Sequence, residues 1–295
     1  MPLVLTRILA ASMCLPANAA SPSPDPEPGP GAKHVACDLV LPREQLAADT
    51  TTTIGVRFRI APGWHLYWNG QNDSGAAPTI DFAGSDPRLA FGPAAWPVPV
   101  RHAAEGDIVD HVYEGECLLL VPMTVAKGVE GALPIRFRSD LLVCSEACLP
   151  GRVHTTINVG AGPAAGPPGA GAAVLERATG AMAREMQGPV PFAARLESRT
   201  LFVEPRQGQQ LRRLTFMPGP GCEATTLAPD CESRVDKGGT PRLEIKLNSP
   251  GASGIVQCED DTGQVTNWRL DLRDAGVSEA DARNHGSSEG GATSK

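Results

Sequence analysis

Two cysteines four residues apart, Cys144 and Cys148, enclose Ser145-Glu146-Ala147 and follow the apolar stretch Leu141-Leu142-Val143. Fully extended, such a segment holds its end Cα atoms about 13 Å apart, whereas a disulfide needs roughly 4.4–6.8 Å. A turn at 145–147 therefore decides between a bridge and two separate, inert thiols. A ring this small constrains the unfolded chain little. A bridge of low structural value is suited to being made and broken, by thiolate attack through a mixed disulfide. The competing reading is a fixed structural bridge or two buried thiols. Glu146 lies between the cysteines, and its charge disfavours a neighbouring thiolate. No cation stands within the motif, and Arg152 is the one that folding can bring close, so a strongly acidic thiol is not expected from the local sequence.

Such chemistry needs an oxidising compartment, and the amino terminus points to one. Arg7, the apolar stretch Ile8 to Leu15 and Ala17-Asn18-Ala19 form a secretory leader pattern, residues 1–19, with cleavage expected after Ala19. Cys14 is a poor lipidation site because Ser12-Met13 precedes it. Cleavage removes one cation and no acid from a chain of formal charge −7. An acidic chain with no basic cluster argues against nucleic acid as a partner. No later stretch approaches eighteen consecutive apolar residues, so no membrane span is expected in the mature chain. The expectation is a soluble protein beyond the cytoplasmic membrane, where disulfides persist.

Of the eight cysteines, Cys14 goes with the leader, and an odd number leaves at least one thiol unpaired. Cys222 and Cys231 flank a loop containing Pro229 and are candidates for a structural bridge, in which Cys258 could displace either partner. Cys37 and Cys117 could join two strands, although connectivity cannot be read from sequence. The later cysteines also suit Cu(I), a soft-thiolate metal, which makes copper handling an alternative. His65, flanked by aromatic residues, is expected to be a hydrogen-bonded structural residue rather than a metal ligand, and His102 and His111 lack ligand-pair spacing.

The elements that must position the pair read as β. Ile54, Val56, Phe58 and Ile60 alternate with Gly55, Arg57 and Arg59; Ile135 and Phe137 alternate with Arg136 and Arg138; Val153, Thr155, Ile157 and Val159 alternate with more polar neighbours. Period two predicts strands with one buried face. Turn signals at Ala61-Pro62-Gly63, Asp73-Ser74-Gly75 and Gly84-Ser85-Asp86-Pro87 separate them. Residues 20–34 read as a Pro-rich tether, 35–160 as a β-sandwich domain, and 161–173 as a Gly/Ala/Pro linker. Residues 174–273 read as a second, smaller β-rich domain, opened by a helix carrying Val174, Ala178, Met182 and Met186 on one face. Its strands are expected at 201–203, 214–216, 243–247 and 268–272. Residues 274–295 read as a disordered tail.

The motif Gly63-Trp64-His65-Leu66-Tyr67-Trp68-Asn69 concentrates scarce aromatic residues. Asp73-Ser74-Gly75, Trp96-Pro97-Val98-Pro99, Tyr113-Glu114-Gly115-Glu116 and Leu142-Val143-Cys144-Ser145-Glu146-Ala147-Cys148-Leu149-Pro150 follow in order. This set resembles the amino-terminal periplasmic domain of the thiol:disulfide interchange protein DsbD, in the variant found in the copper-sensitivity suppressor protein ScsB. It covers residues 35–160 well and 175–272 loosely.

The resemblance implies an immunoglobulin-like sandwich in the periplasm whose cysteine pair takes electrons from a membrane-embedded partner and passes them to oxidised periplasmic proteins. It implies that Cys148 contacts partners and Cys144 resolves. Full-length relatives continue into a membrane domain and a thioredoxin-like domain, so a separate membrane-embedded thiol donor is expected here. No organic cofactor is expected beyond the redox-active disulfide. Trp64, Tyr67 and Trp68 are candidates to shield it, with core packing the competing role. The expected activity is that of a protein-disulfide reductase module. The alternatives are a non-catalytic binding or scaffold protein with a structural disulfide, and a copper-handling protein.

Overall fold

The structure, a computed structural model, describes residues 27–228 and 230–272. The expected leader, most of the expected tether, the expected tail and Pro229 lie outside the described residues. In chain order the first half forms β1 (Val35–Val40), β2 (Gln45–Ala47), β3 (Thr50–Ile60), β4 (His65–Tyr67), β5 (Leu89–Phe91), β6 (Val100–Ala103), β7 (Val109–Glu114), β8 (Glu116–Val125), β9 (Gly131–Cys144) and β10 (Cys148–Gly162). One helix, α1 (Ala170–Gly180), follows. The second half forms β11 (Phe192–Glu197), β12 (Thr200–Pro205), β13 (Leu211–Pro218), β14 (Arg234–Val235), β15 (Pro241–Lys246), β16 (Ser253–Asp260) and β17 (Val265–Asp271).

The first ten strands make two facing sheets, ordered β1-β3-β8-β5 and β2-β10-β9-β4-β7-β6. The chain is mainly β with an immunoglobulin-like sandwich, and the period-two segments fall inside β3, β9 and β10. Ile54, Val56, Phe58 and Ile60 of β3 meet Leu133, Ile135 and Phe137 of β9 in one core, because alternate residues of a strand share a face. Strand β8 departs from simple alternation. Cys117, Leu118, Leu119, Leu120 and Val121 are all buried. Cys117, Leu119 and Val121 face the core, while Leu118 and Leu120 meet Val40 and Leu175 on the opposite side. A continuous apolar run marks a strand covered on both faces, and the cover here is α1.

That placement corrects one expectation. The helix does not open the second domain; it closes the outer face of the first. The apolar side of α1 seats Leu175 beside Gly55, where an added Cβ would lie 2.9 Å from a Leu175 methyl. The expected linker is likewise strapped down. The Gly166 N–H donates to the Gln45 carbonyl (3.0 Å) and the Gly169 N–H to the Pro42 carbonyl (2.8 Å), and Arg43 donates to the Gly166 carbonyl (2.6 Å). The expected tether is also docked from Pro28 onward. Pro30–His34 form a 3-10 turn with Gly31 buried, and the Arg152 N–H donates to the Pro28 carbonyl (2.6 Å). Backbone amides satisfied in this way outweigh a composition that otherwise favours a free chain. Leu175→Ala is expected to destabilise the sandwich by about 2–5 kcal/mol. A denaturant midpoint unchanged for the 35–160 sandwich would detach the helix from that role.

The remaining strands form a second unit, β11-β12-β15-β14 and β13-β16-β17, around Phe192, Leu201, Phe216, Leu243, Ile245, Val256 and Leu270. The four strand segments expected there lie within, or overlap, β12, β13, β15 and β17. Among the described residues no helix is long and apolar enough to cross a membrane.

Candidate active site

Strands β9 and β10 pair antiparallel, rung by rung, from Ala161 opposite Gly131 to Cys148 opposite Cys144. The cysteines are the last pair before the turn, and Ser145 N–H closes it by donating to the Ala147 carbonyl (3.3 Å). The turn brings the two Cα atoms to 4.1 Å, and the sulfurs are bonded. Leu141 and Val143 of β9 point into the core; Leu142 and Cys144 point outward, as period two requires. The two sulfurs differ in access. Cys144 is 2% exposed, whereas Cys148 is exposed.

The wall around Cys144 comes from the aromatic motif. Strand β4 lies between β9 and β7, with His65 opposite Cys144 and Tyr67 opposite Val112. Leu66 goes to the core, while Tyr67 turns outward and packs with Val112, Leu142 and Cys144. The Tyr67 hydroxyl lies 3.4 Å from Cys148 Sγ and 3.2 Å from Ser74 Oγ. Ser74 donates its hydroxyl (2.5 Å) and its backbone N–H (3.0 Å) to the two oxygens of the buried Asp110 carboxylate. Gly75 lies flat on the Tyr67 ring, where an added Cβ would sit 2.1 Å from Cζ. Burial raises the Tyr67 phenol above its ordinary value, the Ser74 hydrogen bond acting against it.

The three aromatic candidates therefore separate. Tyr67 reaches the disulfide and is at the same time 1% exposed, so shield and packing coincide in one side chain. Trp64 stacks on His34 at 3.7 Å between centroids. Trp68 is in the core, edge-on to His111 at 5.6 Å. His65 sits 5.3 Å from Tyr67 and 5.8 Å from His102, ring to ring, and burial lowers its pKa. Arg152 pairs with Asp140 (2.5 Å), four rungs from the cysteines, or about 13 Å along the strands. Ser74, Gly75 and Asp110 went unassigned in the sequence. Ser74 and Gly75 were legible as a turn and as part of the motif set that carries the resemblance, but without a role, and a single aspartate in a strand gives no signal.

The second unit reaches this site through the segment after Trp68. Gln71 N–H donates to the Pro218 carbonyl (2.8 Å), and its side chain exchanges two hydrogen bonds with Ala224 (2.9 and 2.7 Å). Arg101 pairs with Glu232 (2.8 Å). The His111 Nδ1–H donates to the Gln71 carbonyl (2.8 Å), and the Asp73 carboxylate accepts from Val109 N–H (2.8 Å). The segment leading into Ser74 is thus held on both sides.

The other bridge candidates are corrected. Cys37, Cys117, Cys222, Cys231 and Cys258 are all free. Cys37 and Cys117 face Phe58 from opposite sides of β3, so two strand spacings, about 9–10 Å, exceed disulfide reach. Cys222 and Cys231 share the second core without bonding; each sits in its own backbone turn, Cys222 N–H donating to the Gly219 carbonyl and Cys231 N–H to the Leu227 carbonyl. Burial pushes the Cys37 thiol up to about 11 and those of Cys231 and Cys258 to about 12, and raises Cys117 and Cys222. The thiolate is the nucleophile, so these groups are kept inert at neutral pH. Among the described residues, no three His, Cys, Asp or Glu side chains are grouped so as to hold a metal ion.

A model of the family described as thiol:disulfide interchange protein DsbD, N-terminal, matches residues 38–159. The N-terminal periplasmic domain of ScsB from Proteus mirabilis is similar in fold, with a TM-score of 0.53 and 14% identity over 82% of this chain and 95% of that one. The DsbD N-terminal domain of Neisseria meningitidis, solved in the reduced form, gives a TM-score of 0.30 and 21% identity over 48% of this chain and 94% of that one. No curated protein matches the chain.

Proposed function

We propose that the chain relays electrons in the periplasm from a membrane-embedded thiol donor to oxidised proteins; the match of residues 38–159 to the DsbD N-terminal family supports a role in thiol:disulfide interchange. The observation that carries this reading is the access difference within one bridge: Cys148 is open to a partner and Cys144 is walled in. The reaction needs no organic cofactor.

In the charged, reduced state the Cys148 thiolate attacks a client disulfide. A Cys148–client bond forms, the client S–S bond breaks, and the electron pair leaves on the second client sulfur. Cys144 then attacks Cys148 Sγ, closing the bridge and releasing the first client sulfur as a thiolate. Two electrons pass to the client, and the 144–148 disulfide is restored. A donor dithiol recharges the bridge by the reverse sequence, first opening it at Cys148. The five free thiols, four of them buried and Cys37 half-buried, support the reading by staying out of this exchange.

The full chain is expected to equilibrate with glutathione redox buffers at the 144–148 pair. Structural bridges in secreted proteins usually have potentials below about −300 mV and resist that pool. A potential in that range, read by mass spectrometry of the alkylated peptide, would favour a scaffold with a fixed bridge.

A further inference from the structure

We infer that Tyr67 is a catalytic residue of this exchange, its hydroxyl donating to Cys148 Sγ whenever that sulfur carries negative charge, and that Ser74, locked by Asp110, is the positioning residue that aims it. The inference rests on the exchange reading above and extends it to a hydrogen-bonded chain.

The chain runs from the Asp110 carboxylate to Ser74 (2.5 Å), from Ser74 Oγ to Tyr67 (3.2 Å) and from the Tyr67 hydroxyl to Cys148 Sγ (3.4 Å). Donor arithmetic fixes its direction. An ionised carboxylate only accepts, and a hydroxyl has one proton to give. Ser74 gives its proton to Asp110, so towards Tyr67 it can only accept. Tyr67 in turn has one proton and two neighbours that accept it, Ser74 Oγ and Cys148 Sγ. While the bridge is closed, Sγ is a weak acceptor and the proton turns to Ser74. When Cys148 becomes a thiolate, the charged sulfur is the stronger acceptor, and the proton turns to it without leaving the phenol oxygen.

The moment of need is defined by the exchange. During recharging, the second donor thiolate attacks the donor sulfur of the mixed disulfide. A bond forms between the two donor sulfurs, the donor–Cys148 bond breaks, and the electron pair departs on Cys148 Sγ. Tyr67 stabilises that leaving thiolate, and a better leaving thiolate departs faster. Arg152, the cation nearest in sequence to the pair, is engaged with Asp140. Gly75 holds the ring down so that the hydroxyl cannot swing out.

The charged and titratable groups around the sulfur are the Cys144 thiol once the bridge is reduced, Glu146 in the turn, Asp110 behind Ser74, His65 beside Tyr67, His102 beside His65, and Glu114 opposite His65. Tyr67→Phe and Ser74→Ala leave every one of them unchanged and remove one hydroxyl each. The test is the pH profile of Cys148 alkylation by iodoacetamide in the reduced full-length protein, followed on the Cys148 peptide by mass spectrometry. Tyr67→Phe is expected to raise the midpoint by about one pH unit, a tenfold loss of thiolate at neutral pH. Ser74→Ala is expected to move it in the same direction by less, and Ser74→Thr to bring it back. A Tyr67→Phe midpoint equal to wild type overturns the inference, as does an unshifted Ser74→Ala midpoint, which also decides the matter if the phenylalanine variant does not fold. Failure of the exchange reading shows elsewhere, as a wild-type bridge that glutathione does not open, and leaves the Cys148 midpoint measurable.

Discussion

Replacing Cys144 by Ser is expected to convert the protein from a transient to a trapped covalent partner, while Cys148→Ser forms no such adducts. The asymmetry follows from access. Thiol–disulfide exchange requires one sulfur to approach another closely. Cys144 is 2% exposed and enclosed by Tyr67, Val112 and Leu142, so a sulfur on another folded protein cannot reach it. In the Cys144→Ser protein the exposed Cys148 still attacks, but no second thiol resolves the product. Non-reducing gels of whole cells should then show slower bands that dithiothreitol removes. Bands from Cys148→Ser alone would reverse the two roles. Bands from neither variant would count against stable exchange with partners.

A large effect is also expected from Gly75→Ala, at a residue with no functional group. Its Cβ would lie 2.1 and 2.2 Å from two Tyr67 ring atoms, closer than nonbonded atoms approach, so the ring must move. Tyr67 packs against Val112, Leu142 and Cys144 below it, and a dense interior resists such displacement. Overpacking of this kind costs about 1–3 kcal/mol. The expected signature is dual: lower denaturant stability and a several-fold faster opening of the 144–148 bridge by dithiothreitol, because the side chain against the sulfur is the one displaced. Loss of stability with unchanged reduction kinetics would confine Gly75 to a packing role.

The two sites of substitution differ in how readily the sequence exposed them. Cys144 and Cys148 declare their chemistry by type and spacing, and the strand on each side by period two. Gly75 was legible as part of a turn signal and of the motif set that carries the resemblance, with no role attached. Its real neighbour is the Tyr67 ring, a relation that depends on how the loop after β4 folds back. The helix at 170–180 illustrates the same division. Its apolar face was readable from the spacing of Val174 and Ala178, whereas Met182 and Met186 of the same pattern lie past its end at Gly180, and the surface it covers is decided by Leu118 and Leu120 on β8, far away in sequence. The continuous apolar run at 117–121 was the available clue that something covers that strand on both sides.

Patterns a few residues long carry the mainly β character, the candidate redox pair and the family resemblance over residues 38–159. Tertiary structure alone decided which sulfur is open, which of Trp64, Tyr67 and Trp68 touches it, and that Asp110 reaches it through Ser74. It also decided that Cys37 and Cys117 stand two strands apart and that Cys222 and Cys231 remain unbonded. The physical reason is the length scale of the contacts. Spacing along one strand sets the face a side chain occupies, whereas its cross-strand and loop partners, such as Tyr67 with Cys148 or Ser74 with Asp110, depend on sheet order and register, which no local pattern encodes.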